Sequence, residues 1–132
     1  MNSHIELNHI IFYVENAKKS SNFYQNLLGV SIIEEAPGYA RLSSPQKSFT
    51  IGIHEFEEGM FPPLNEGITI YFEVSDLDMY CSSLKDKGYI FDQLPKEMPW
   101  GWRHAYLTDH DGHKISLYHA GEKRFEKTPG FE

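Results

Sequence analysis

Residues 7–30, LNHIIFYVENAKKSSNFYQNLLGV, have a counterpart further along the same chain, residues 67–89, GITIYFEVSDLDMYCSSLKDKGY. Each stretch opens on a β-branched and aromatic run, the composition of a strand. Each then turns polar at a residue suited to cap a helix, Asn16 in the first copy and Asp76 in the second. Helical periodicity follows. Phe23, Tyr24, Leu27 and Leu28 share one face in the first copy; Leu77, Tyr80, Cys81 and Leu84 share one in the second, at i, i+3, i+4 and i+7. Each helix ends at a glycine, Gly29 or Gly88, the residue that tolerates a left-handed cap.

Short strand-like runs follow each helix. They are Val30–Ala36, Tyr39–Ser43 and Ser48–His54 in the first half, with Pro37-Gly38 and Ser44-Pro45 as breakers. In the second half they are Tyr89–Asp92, Arg103–Thr108 and Lys114–His119. Both halves therefore read strand–helix–strand–strand–strand, an α+β pattern. The modules span about 5–55 and 67–120, joined by a linker at 56–66 that carries Pro62-Pro63 and followed by a tail at 121–132. A sheet of this size needs a cover on its faces, so the two modules are expected to form one domain over residues 1–132.

Composition narrows the function. With 132 residues, 40 % hydrophobic and 23 % charged, the chain can bury a core. No apolar run approaches the length of a membrane span, and MNSHIELNHI lacks the basic and apolar sections of a secretory signal. The single cysteine, Cys81, cannot form an internal disulfide, which points to a reducing, cytoplasmic setting. A formal net charge of −7 argues against nucleic-acid and anionic-membrane surfaces. It suits a cationic ligand, or serves solubility alone.

The order of these elements, with LNHIIFYV, FYQNLLG and the late DHDGHKISL, resembles the vicinal oxygen chelate superfamily, which contains glyoxalase I, bleomycin and fosfomycin resistance proteins and extradiol dioxygenases. The likeness runs over roughly residues 5–120. His110 stands where the family more often has proline in an Asp-Pro-Asp-Gly turn. The stretch PWGWRHAYLTDHDGHKISLYHAGE is closest to glyoxalase-like members of unassigned activity. The resemblance implies two tandem βαβββ modules forming one concave, half-open mixed sheet with the helices outside, and a homodimer.

Strand alternation sorts the side chains. Ile10, Phe12 and Val14, and likewise Ile70, Phe72 and Val74, form apolar faces expected to pack on the helices. His9, Ile11 and Tyr13, and Thr69, Tyr71 and Glu73, fall on the other, concave face. The resemblance places metal ligands on that face at His9, Gly52, Thr69 and Ser116. Of these only His9 is a good ligand for Zn, Ni or Fe, since Gly52 has no side chain and neutral hydroxyls bind such ions poorly. A displaced site would use His9 and His54, with Glu73 or His104 as third ligand.

Tyr13, Tyr71, Tyr106 and Tyr118 give the concave face both apolar area and hydroxyls. Glu73 is either a base or a strand-end carboxylate, and His9 either a functional group or a hydrogen-bonded cavity histidine. Trp100 and Trp102 in PWGWRH form either a lid over the cavity or a plug at one end of the sheet. Strand 103–108 turns either His104 and Tyr106 inward, as the resemblance favours, or Arg103 and Ala105, in which case Arg103 would suit a carboxylate or phosphate. Dense as DHDGHKISLYH (109–119) is in aspartate and histidine, it reads as a hairpin turn followed by a strand. His113, Ile115, Leu117 and His119 share the helix side, and Lys114, Ser116 and Tyr118 the concave side.

Three functions remain. One is binding of a small organic molecule in the concave cavity by Tyr13, Thr69, Tyr71, Trp100, Trp102, His104, Tyr106, Ser116 and Tyr118, without a metal. The second is a metal-dependent glyoxalase-type lyase or ring-cleaving dioxygenase that takes Fe, Ni or Zn at His9 and His54 and uses His9 and Glu73 in catalysis. The third is an interaction module with no ligand.

Overall fold

The structure is a computed structural model and describes residues 3–60 and 67–128. The chain divides into two compact units, Met1–Pro63 and Leu64–Glu132. Pro62-Pro63, in the expected linker, and Pro129-Gly130, in the expected tail, lie outside the described residues.

The first unit contains β1 (His9–Val14), α1 (Ala17–Leu28), β2 (Ser31–Ala36), β3 (Tyr39–Ser43) and β4 (Thr50–Glu55). The second contains β5 (Thr69–Glu73), α2 (Leu77–Asp86), β6 (Gln93–Glu97), β7 (Arg103–Thr108), β8 (Lys114–His119) and a short 3-10 helix, Gly121–Phe125. Each unit folds its strands into one four-stranded mixed sheet, in the order β1-β4-β3-β2 or β5-β8-β7-β6. The first strand of each unit lies parallel to the last, and the other pairs are antiparallel.

The expected caps are in place. The Asn16 side chain accepts the Lys19 N–H at the start of α1, and Gly29 closes the helix at φ 70°. Asp76 accepts the Met79 N–H at the start of α2. At its end Gly88 takes φ 97° and the Tyr89 N–H reaches back to the Leu84 carbonyl at 3.1 Å, which satisfies an orphan carbonyl of the last turn.

The apolar strand faces pack as alternation predicts, although Ile10, Ile70, Phe72 and Val74 of the same faces are only half-buried. In the first unit Phe12, Val14, Ala40, Leu42, Ile51 and Ile53 are buried, and Phe12 stacks on Tyr24 of α1 at 4.7 Å. The buried stripe of α1 is Ala17, Ser20, Ser21, Tyr24 and Leu27, while Phe23 and Leu28 are only half-buried. Small serines let the helix approach the sheet there, a feature that an apolar-only stripe overlooks. In the second unit Leu77, Cys81 and Leu84 of α2 are buried with Ala105, Leu107, Ile115 and Leu117 of the sheet. Burial pushes the Cys81 thiol up to about 11, so it is packed as an unreactive hydrophobe.

The strand expected at Tyr89–Asp92 is a correction: the strand after α2 is Gln93–Glu97. Tyr89 is spent on capping α2, and Pro95 is accepted because β6 is an edge strand with an irregular register between Gln93 and Lys96. In the first unit β4 starts at Thr50 rather than Ser48, because the Ser44 hydroxyl takes the Ser48 and Phe49 N–H groups into a turn.

Candidate functional site

The register of β5, β8 and β7 places nine side chains in three rows on the sheet face opposite α2. The rows are Thr69–Lys114–Thr108, Tyr71–Ser116–Tyr106 and Glu73–Tyr118–His104. The open question about β7 is thereby answered: His104 and Tyr106 lie on this face. Arg103 lies on the helix side, where its Nε and Nη2 donate to the Asp78 carboxylate of α2 at 2.9 and 2.7 Å. That donation holds the Asp78 carboxyl below the usual carboxylate range.

Aromatic rings close around His104. Tyr71 meets it edge-on at 5.2 Å, Trp100 at 5.4 Å and Tyr106 at 5.6 Å, with Trp102 and Tyr118 at 6.0 and 6.1 Å. Trp102 in turn stacks on Tyr118 at 5.6 Å. The tryptophans come from a tight connection between β6 and β7. There the Met98 N–H bonds the Trp102 carbonyl at 2.7 Å, the Gly101 N–H bonds the Met98 carbonyl at 2.8 Å, and Gly101 takes φ 90°, a value that favours glycine. This loop folds its rings onto its own sheet. Trp100 remains 37 % exposed, while His104 is only 2 % exposed.

The polar atoms form a chain. Tyr71 Oη lies 3.1 Å from Tyr106 Oη, which lies 2.7 Å from His104 Nδ1. Burial holds His104 below the ordinary histidine value, and burial together with the Tyr71 contact pushes the Tyr106 phenol up to about 12. His104 and Tyr106 are therefore neutral at pH 7. His104 Nε2 is buried and has no hydrogen-bond partner among the described residues. The Ser116 hydroxyl is fully buried and donates to the Ala105 carbonyl at 3.1 Å.

Glu73 has a different occupation. Its Oε2 accepts the Ala120 and Gly121 N–H groups at 2.8 and 2.6 Å and lies 3.7 Å from His119 Nδ1. Desolvation raises its pKa, but these amides and His119 outweigh that and hold it below the ordinary value. The carboxylate ties the C-terminal segment to the end of β5. The DHDG turn is likewise internally satisfied. Asp109 Oδ1 accepts the Asp111 and His113 N–H groups, and its Oδ2 lies 2.7 Å from His113 Nδ1.

The equivalent face of the first unit carries His9–Thr50–Ser43, Ile11–Gly52–Arg41 and Tyr13–His54–Tyr39. His9 Nδ1 lies 2.7 Å from Thr50 Oγ1. His54 is flanked by Tyr39 and Tyr13, at 4.7 and 5.8 Å between ring centres. Tyr39 and Arg41 escaped the sequence reading, although burial of Ala40 and Leu42 on the opposite side would have located them by alternation.

These residues do not fit a divalent metal at the family's positions. His9 is joined there by Gly52, which has no donor, and an added Cβ at Gly52 would already lie 3.4 Å from His9 Nε2. In the second unit Ser116 has committed its hydroxyl to backbone, and Thr69 offers only a neutral hydroxyl. The displaced pair is no better placed. His9 sits in the Thr50 row and His54 in the Tyr13 row, four residues or roughly 13 Å apart along the strands. Among the described residues no group of three His, Cys, Asp or Glu side chains is gathered to hold a metal ion, and no helix is long and apolar enough to cross a membrane.

Comparison with known proteins agrees with the architecture. A protein from Agrobacterium tumefaciens, ATC0852, solved by NMR, is 25 % identical and superposes with a TM-score of 0.72 over 89 % of this chain and 100 % of its own. A member of the glyoxalase/bleomycin resistance protein/dioxygenase superfamily from Sphaerobacter thermophilus is 24 % identical, with a TM-score of 0.69 over 88 % and 98 % of the two chains. A glyoxalase/bleomycin resistance protein/dioxygenase from Nocardioides is 19 % identical, with a TM-score of 0.76 over 100 % and 92 %. The last two likenesses establish the fold alone. No curated protein matches the chain. The model of the Glyoxalase/Bleomycin resistance protein/Dioxygenase superfamily matches residues 6–117, most of the sequence. The chain belongs to that superfamily.

Proposed function

We propose that this chain binds a small, flat organic molecule on the aromatic face of its second unit and does so without a divalent metal at the family's ligand positions. One observation carries the reading: five rings, from Tyr71, Trp100, Trp102, Tyr106 and Tyr118, converge on one buried histidine. Rings set edge-on to one another present both π faces and edges to an incoming ring, and the tyrosine hydroxyls add polar anchors. The net charge of −7 favours a neutral or cationic ligand over an anionic one. The protein acts in the cytoplasm as a homodimer; the buried single thiol supports the reducing compartment, and light scattering tests the dimer, which should weigh twice the 15.3 kDa chain.

Both tryptophans of the chain stand at this face, so intrinsic fluorescence reports on it directly. Titration of purified, untagged protein with a panel of planar aromatic compounds should change tryptophan emission and raise the melting temperature in parallel for some of them. A panel that leaves both readouts unmoved would remove the reading.

A further inference from the structure

His104 is nearly sealed from solvent, yet only one of its ring nitrogens is engaged. Buried polar atoms are satisfied almost without exception in folded proteins, and an orphan requires a reason. We propose that His104 Nε2–H is the donor reserved for an acceptor oxygen of the ligand, so that the site takes flat compounds bearing a carbonyl or similar neutral acceptor. This deepens the reading above and rests on it.

The tautomer completes the proposal. Tyr106 Oη and His104 Nδ1 lie 2.7 Å apart, a separation that suits either direction; in the proposed arrangement Tyr106 donates to Nδ1. Its own oxygen then accepts from Tyr71, 3.1 Å away, a residue that is 40 % exposed. A neutral imidazole that accepts at Nδ1 carries its proton on Nε2. The two tyrosines thus act as positioning residues that fix the tautomer.

Access runs past Trp100. Its ring is the most exposed of the two tryptophans and sits at the tip of the Met98–Trp102 turn. It also borders a cleft of about 240 Å³ that Pro99 shares with Lys123, Glu126 and Lys127. A rotamer change of Trp100 into that cleft uncovers His104 without moving the strands.

The test uses a matched pair of probes, 2-acetylnaphthalene and 2-ethylnaphthalene, which differ by the carbonyl, with the full chain and calorimetric affinities. The acetyl compound should bind roughly tenfold tighter, the value of one buried hydrogen bond. His104→Phe keeps a ring in place and should bring the two affinities together by weakening only the acetyl compound. Tyr106→Phe frees the tautomer and should reduce the preference a few-fold. A second measurement is independent of whether these variants fold. In nitrogen-15 spectra of the wild type, the His104 Nε2–H resonance should move with the acetyl compound and stay put with the ethyl one. Equal wild-type affinities, or a preference that survives His104→Phe, would overturn the inference while leaving aromatic binding intact. Failure of both probes to bind would overturn the inference and the reading on which it rests.

Discussion

The two units share one topology and one register, yet their exposed sheet faces are built to opposite plans. In the first, the central position is Gly52, and the side chains around it are His9, Ile11, Arg41 and the ring-flanked His54. In the second, the matching position is Ser116, and around it stand Tyr71, Tyr106, Tyr118 and His104 in mutual contact. The difference lies in what each face does with its polar atoms. The first keeps them near water, with His9 and Glu34 exposed and His54 half-exposed. The second buries His104, Ser116 and Tyr118 at its centre, and buried polar atoms must be satisfied internally or with a ligand. The helix-facing core is common to both units, and the opposite face is free to vary.

The sharpest way to break this comparison is to truncate equivalent residues. Tyr118 and His54 occupy matching places in the last strand of each unit. Tyr118 is 6 % exposed and touches Tyr71, Trp102 and His104. Tyr118→Ala should cost about 3–4 kcal/mol in urea unfolding, typical of a large aromatic removed from a core. His54→Ala should cost less than about 1 kcal/mol. Comparable losses at the two sites would mean that the aromatic cluster is no more consolidated than the first face.

A smaller effect comes from exchanging the floor residues. Ser116→Gly removes a buried donor to the Ala105 carbonyl and adds backbone freedom, which together should cost about 1–2 kcal/mol. Gly52→Ser should be milder. Its Cβ would meet only side-chain atoms, Ile11 Cγ1 at 3.2 Å and His9 Nε2 at 3.4 Å, which yield by small rotations. Thermal melts of the two single variants rank them directly. A larger loss at Gly52 would show that the first face is also tightly packed.

Much of this division was legible in the residues alone. Alternation in IIFYV and TIYFE, the caps Asn16 and Asp76, and the glycines at 29 and 88 specify strand–helix units by local physics, and these appear where periodicity put them. Alternation also put Tyr71, Ser116, Tyr118 and, by resemblance, His104 and Tyr106 on one face. What it could not supply was partnership. Glu73 reads as either a cavity base or a strand-end carboxylate by its place in the strand, and its Oε2 accepts the Ala120 and Gly121 amides, a contact with residues 47 and 48 positions away. The strand at Gln93–Glu97 contains a proline and alternates poorly, and only its edge position makes that acceptable. The unpaired Nε2 of His104 depends on the fold of a loop whose rings have no periodic signature.

Glu73 gives a pH-dependent prediction. Its folded pKa lies below its ordinary value of 4.5. Its contribution is therefore complete at neutral pH and is lost as pH falls through the folded pKa. Glu73→Gln should cost about 1 kcal/mol at pH 7, since the amide oxygen accepts the two N–H groups more weakly than a carboxylate. The gap between wild type and variant should narrow once the pH drops below about 4.5. A gap that stays constant down to strongly acidic pH would assign the loss to packing rather than charge.

The smallest effects belong to the two arginine pairs, and they contrast the units once more. Arg103 holds Asp78 with two donors, and both side chains are well exposed, 40 % and 63 %. Arg41 holds Glu34 through Nη2 alone at 3.1 Å, and its Nε is buried without a partner. Exposed pairs contribute little after screening and side-chain entropy are counted. Arg103→Ala should lower the melting temperature by no more than about 2 °C, and 1 M salt should shrink that difference. Arg41→Met keeps the apolar stem and deletes an unsatisfied donor along with a weak exposed pair, so it should leave the melting temperature unchanged or raise it slightly. A clear loss at Arg41 would mean that its Nε is satisfied in solution.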